Sequence, residues 1–128
     1  MKIVLDTNVI VSALLSPSGA PARILSLVLE GMITTVYDNK ILAEYSDVLN
    51  REKLKIDKDL INLVVDFIIK EGEFKTARPQ TALFDDEDDR VFYELYKTGK
   101  IDFLITGNIR HFPHEKGIVS PRKFLEFI

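Results

Sequence analysis

Short β-prone runs alternate along this chain with longer segments whose apolar residues recur at helical spacing. No other feature restricts the fold as much. The first run, "KIVL" (Lys2–Leu5), is closed by Asp6. "TNVIVSALLS" then reads as a short helix with Thr7 and Asn8 as capping residues. "PSGAP" (Pro17–Pro21) is a turn, and Pro21 suits a first helical position. "ARILSLVLEG" reads as a second helix stopped by Gly31, and "MITTVY" (Met32–Tyr37) as a strand. Asp38 or Asn39 can cap the next helix, "KILAEYSDVLNR". A fourth helix runs from about Lys58 to Glu71, with Gly72 as its stop. "EFKTARPQTALF" is irregular or an edge strand, since Pro79 has no N–H to give a central ladder. "DEDDRVFYELYKTG" is a helix with an acidic first turn, "DFLITGN" a strand entering a tight turn, and "GIV" a last short strand. "SPRKFLEFI" is a final helix capped by Ser120. This order predicts an α/β protein whose mostly parallel sheet is covered on both faces. In such sheets ligands bind beyond the carboxyl ends of the strands.

The 128 residues form a single predicted domain, 1–128, and 46% of them are apolar, enough for a sizeable core. No apolar run approaches the roughly 18 residues of a membrane span. "MKIVLD" reaches an acid too early for a signal peptide. There is no cysteine, so thiolate metal sites and thiolate nucleophiles are excluded. These features fit a cytoplasmic protein with no membrane association. The net charge of −3 argues against a nonspecific nucleic-acid binder. However, five acids crowd into Asp85–Asp89, and the remainder of the chain is slightly basic.

The acids at strand ends and on apolar helix faces are the informative ones. Asp6 stands at the carboxyl end of the first strand, where it either faces a ligand or caps the following helix. Glu44 lies three residues after Ile41 and four before Val48, on the apolar stripe of its helix. An acid there needs a partner or a metal. A salt bridge at the edge of the stripe is the alternative, and no basic residue is evident on that face. Asp89 precedes Phe92 and Tyr93 by three and four residues and shares their face; Asp86 lies one turn earlier. One or two acids suffice to complement a helix N-terminus, but five crowd like charge and call for a positive counterpart. Asn108 and Thr106, in "ITGN", stand at another strand's carboxyl end, although Gly-Asn also suits a plain turn. Asp6, Glu44, Asp86 or Asp89, and Asn108 can therefore meet at one sheet edge. Oxygen ligands of this kind select Mg²⁺ or Mn²⁺ over zinc.

In this order, these residues resemble the PIN-domain family of ribonucleases, within it the branch of toxins of toxin–antitoxin systems. The resemblance covers essentially the whole chain. It is carried by "IVLDTNVIVSALL", Glu44, "DEDDRVF" and "FLITGN". It implies a three-layer α/β/α sandwich and a metal-dependent endoribonuclease that hydrolyses RNA phosphodiester bonds. By resemblance Asp6, Glu44 and Asp89 are catalytic acids holding Mg²⁺ or Mn²⁺, Asp86 is a further metal ligand, and Asn8 is a polar residue beside the site. It also implies an RNA substrate, an antitoxin protein and a homodimer as partners. One departure stands out: many members have "TGD" where this chain has "TGN". Asn108 can coordinate or orient water but brings no charge, so a second metal would be held less tightly. Asp88 compensates if the helix starts differently.

Arg51, Lys53, Arg110 and Lys116 are candidates to contact the RNA backbone, against the reading of solvated surface charge. His111 and His114 read as a surface loop beside the sheet's carboxyl edge. Leu60–Ile69 is richly apolar, either core or a surface for a partner. Two other functions compete with the nuclease. One is a phosphatase with Asp6 as nucleophile, though "DTN" lacks a second acid two residues on. The other is a catalytically weak PIN-like module that binds RNA or protein.

Overall fold

The computed structural model describes all of residues 1–128. Five strands form one parallel sheet: β1 (Lys2–Leu5), β2 (Thr34–Tyr37), β3 (Glu73–Phe74), β4 (Phe103–Ile105) and β5 (Ile118–Val119). Their order across the sheet is β3-β2-β1-β4-β5. Six α-helices connect and flank them: α1 (Thr7–Leu15), α2 (Ala20–Leu29), α3 (Asn39–Leu49), α4 (Lys58–Glu71), α5 (Glu87–Thr98) and α6 (Pro121–Leu125).

Burial along β1 shows why the sheet needs two helical layers. Consecutive side chains of a strand point to opposite faces. Ile3, Val4 and Leu5 are all at most 1% exposed, so both faces are covered and the architecture is a three-layer α/β/α sandwich. On the helical side of the packing, α2 contacts α1 and α6, while α3 contacts α4 and α5. No single helix is long and apolar enough to cross a membrane.

The elements follow their sequence signals closely at the caps. Asp38 accepts a hydrogen bond from the Ile41 amide, Asp57 from Asp59, Asp86 from Asp88 and Ser120 from Lys123. Gly31 takes φ +78, a left-handed conformation that glycine adopts without a Cβ clash, and turns the chain out of α2. That turn delays β2 to Thr34, later than the predicted Met32. Pro21 sits one residue inside α2, which starts at Ala20. The "EF" pair takes the edge-strand alternative as β3, hydrogen-bonded to β2, and Pro79 falls in the irregular segment beyond it. On α4, Ile61, Val64 and Ile68 enter the core while Leu60, Leu63 and Ile69 face outward.

The topology places the site. From β1 the chain winds one way to β2 and β3, then crosses to β4 and β5 on the other side of β1. The carboxyl ends of β1 and β4 therefore flank the point where the winding reverses, the usual ligand crevice of an open parallel sheet. Leu5 and Ile105 are partners in register there, so Asp6 and Thr106 emerge side by side.

Candidate active site

Asp6 is only 5% exposed. It occupies the N-cap position of α1, yet its carboxylate makes no capping hydrogen bond. The capping alternative holds for its position but not for its side chain. Oδ2 instead accepts from the Thr106 hydroxyl at 2.8 Å and from Asn8 Nδ2 at 3.4 Å. Each of these partners is held in turn. Thr106 Oγ1 accepts from the Asn108 amide at 2.9 Å, and Asn8 Oδ1 accepts from the Gly107 amide at 3.1 Å. The β4 turn "TGN" thus orients Asp6 through two side chains and two backbone amides. Thr7 is the first residue of α1, not its cap. Its buried hydroxyl donates to Glu44 Oε2 at 3.0 Å, a contact the spacing of the sequence did not disclose.

Glu44 is half-buried, consistent with a place at the margin of the α3 stripe. It forms no ion pair. A basic residue does share its surroundings, contrary to the expectation: Arg51, two helical turns on, lines the same cleft. The Arg51 guanidinium is bound to Asp47 at 3.3 Å, so it acts on Glu44 only through its charge, which favours the ionised carboxylate.

The acidic cluster divides by function. Helix α5 begins at Glu87, so Asp86 is its N-cap and spends one oxygen on the Asp88 amide at 2.9 Å. Asp86 therefore stands at the cap, whereas the spacing predicts it one turn before Asp89 within the helix. Both still line the cleft, and Asp88 joins them there rather than facing away. The positive counterpart comes from after the cluster. Arg90 pairs with Glu87 through Nε and Nη2, donates to the Gln80 carbonyl at 2.9 Å, and lies over the Phe84 ring at 5.1 Å. His111, in a short 3-10 helix Ile109–His111, places Nδ1 3.4 Å from Asp89 Oδ2. His111 is exposed, in keeping with the surface-loop reading, and the approach to Asp89 is what the spacing did not show. His114 makes no such contact.

Asp6, Asn8, Glu44, Asp86, Asp88, Asp89 and Asn108 line one cleft of about 400 Å³. Burial raises the Asp6 carboxyl to about 6, the Thr106 hydrogen bond holds it down in part, and the charge of Asp89 pushes it up again. Glu44 is raised by burial against the pull of Thr7, with Asp88 adding repulsion. Asp89 is raised by burial and by Asp86, against the pull of His111. Three carboxylates are thus each disfavoured in their ionised form, an arrangement that a bound cation relieves. Oxygens dominate the donor set, which suits Mg²⁺ or Mn²⁺. As placed, no three acids are close enough together to hold one ion. Val11, Val48 and Leu54 supply the apolar part of the lining, and Arg51 and Lys53 its basic part. Arg110 and Lys116 lie outside this cleft, in neighbouring hollows.

A three-layer α/β domain with buried and half-buried carboxylates gathered at its strand-order reversal belongs to the class of open parallel-sheet folds with an acidic cleft at the carboxyl edge. The particular family follows from comparison: the PIN-domain profile matches residues 2–110, and the chain belongs to the PIN-domain family. PIN domains are in general nucleases, which supports a hydrolase acting on RNA. An uncharacterized protein of Methanocaldococcus jannaschii is 30% identical over 111 residues, covering 84% of this chain and 71% of its own length.

Proposed function

We propose that this protein is a Mg²⁺- or Mn²⁺-dependent endoribonuclease in which Asp6, Glu44 and Asp89 are the catalytic acids. The observation that carries the reading is Asp6: a buried carboxyl raised to about 6, oriented by Thr106 and Asn8, and opposed by Glu44 and Asp89 across one cleft. Asp6, Glu44 and Asp89 would hold the cation, with Asp86 and Asp88 at its border. When bound, such an ion activates water and stabilises charge on the phosphoryl oxygens during in-line displacement. Water then adds to phosphorus as the bond to the leaving oxygen breaks, and the leaving oxygen takes up a proton. Thr106 and Asn8 keep Asp6 pointed into the cleft, and Asn108 is placed to orient water. Arg51 and Lys53 offer positive charge to phosphates entering from the α3 side.

We further propose that the enzyme acts as the toxin of a toxin–antitoxin pair in the cytoplasm. The family resemblance supports this role, and the outward Leu60, Leu63 and Ile69 of α4 offer an apolar face for a homodimer or an antitoxin. Expression that arrests growth, and is relieved by a co-expressed partner, is the expected result.

The test of the activity is cleavage of single-stranded RNA with Mg²⁺ or Mn²⁺, with chelator, and after readdition of metal. Metal-restored cleavage supports the reading. Hydrolysis of a phosphomonoester without RNA cleavage would replace it with the phosphatase, and neither activity would leave a binding module.

A further inference from the structure

Beside the acidic cleft lies a second hollow of about 260 Å³, lined by Gly107, Asn108, Ile109, Arg110, His111 and Ser120. The two concavities share Asn108. Across that residue the chemistry reverses. On one side stand the carboxylates; on the other the lining contains no acid, and it offers a guanidinium, an imidazole and a hydroxyl. His111 is turned toward Asp89, which leaves Arg110 as the free cation of the hollow: it forms no ion pair within the chain. Its backbone is firmly held. The Asn108 amide binds Thr106 Oγ1, the His111 amide binds the Asn108 carbonyl at 2.9 Å, and Phe112 is buried against Phe84. Arg110 is thus presented from a fixed turn at the edge of the candidate catalytic cleft.

A nucleic-acid strand carries one charge per nucleotide. If the scissile phosphate lies over the acids, its neighbours must leave that negative field on both sides. On the α3 side, Arg51 and Lys53 line the cleft and offer positive charge there. We infer that the hollow around Arg110 is a subsite for a phosphate flanking the scissile one, with Arg110 as its binding group. The neutral amide of Asn108 forms the border, where a carboxylate would repel the passing strand. This inference rests on the nuclease reading and deepens it: the substrate is an oligonucleotide held by more than its scissile phosphate, not a mononucleotide.

The experiment is a scan of single-stranded RNA oligonucleotides with one cleavage position, each carrying one uncharged methylphosphonate linkage. In wild type, neutralising one flanking linkage should lower kcat/KM about tenfold, chiefly through KM. In Arg110→Ala that linkage should no longer matter, a non-additivity that marks direct contact. The salt dependence of KM should flatten by about 0.7 in log–log slope, the loss of one single-strand phosphate contact. Arg110→Lys should restore the slope. Arg23→Ala, on α2 away from both concavities, should match wild type. Equal methylphosphonate effects in wild type and Arg110→Ala, or an unchanged salt slope, would overturn the subsite while leaving RNA cleavage intact. Absence of RNA cleavage by wild type in either metal would overturn the nuclease reading and the subsite with it.

Discussion

Burial of the Asp6 carboxyl costs stability. Its folded carboxyl is raised from 3.8 to about 6. Below the unfolded value both states hold the proton, and the group contributes nothing. As pH rises toward 6 the unfolded chain ionises first, so stability falls; above 6 the full penalty remains, roughly 3 kcal/mol from the size of the shift. In metal-free protein, Asp6→Asn should therefore raise stability at pH 7.5 by about 1–3 kcal/mol and give little gain near pH 3.5, read from urea denaturation. Loss of stability at pH 7.5 would show that the carboxylate is not strained. Thr106→Val removes the hydroxyl that holds the Asp6 carboxyl down. The Asp6 titration, followed by NMR in metal-free protein, should move to still higher pH. At this scale the sequence marked Asp6 by its place after "IVL" and Glu44 by its place on a stripe. Thr7 and His111 were not legible as contacts, because each reaches its acid across a long stretch of chain that no local spacing encodes.

The elements were read from periodicity and caps, and most boundaries agree because the signals are local. Lys58–Glu71 matches its sequence span, with Asp57 and Gly72 at its ends. The start of α5 was harder. Every residue from Asp85 to Asp89 is a plausible cap or first-turn acid, and only the Asp86–Asp88 hydrogen bond distinguishes them. That one-residue choice decides that Asp88 lines the cleft. The compensating Arg90 likewise lies in the helix itself, and it grips the preceding irregular segment through the Gln80 carbonyl and Phe84. Arg90→Ala should loosen this segment, raising amide exchange over residues 77–86. Unchanged exchange there would contradict the anchoring role. At the α4–β3 junction, a Cβ on Gly72 would collide with the Ile68 carbonyl and stand 2.9 Å from the Thr35 carbonyl. Both neighbours are backbone, so Gly72→Ala should destabilise by about 1–3 kcal/mol in thermal unfolding.

Over the whole molecule, a parallel sheet folded around β1 brings acids from three separate segments, and Asn108 from a fourth, to one edge; the repulsion among the acids is the opening for a cation. The alternation of strands and helices made the sheet and its carboxyl edge legible; the strand order, which sets β4 beside β1, depends on packing that spacing does not report. A cation that binds only the folded state stabilises it by about 2.7 kcal/mol at a hundred times its dissociation constant. Mn²⁺ should accordingly raise the melting temperature of wild type, and Asp6→Asn should abolish most of that rise. Whether these acids carry RNA hydrolysis is decided by single-turnover cleavage of single-stranded RNA by wild type and Asp6→Asn in Mn²⁺ at equal protein concentration. Asp6→Asn should lose at least about a hundredfold in rate with its fold intact. Cleavage by Asp6→Asn at the wild-type rate would contradict that role.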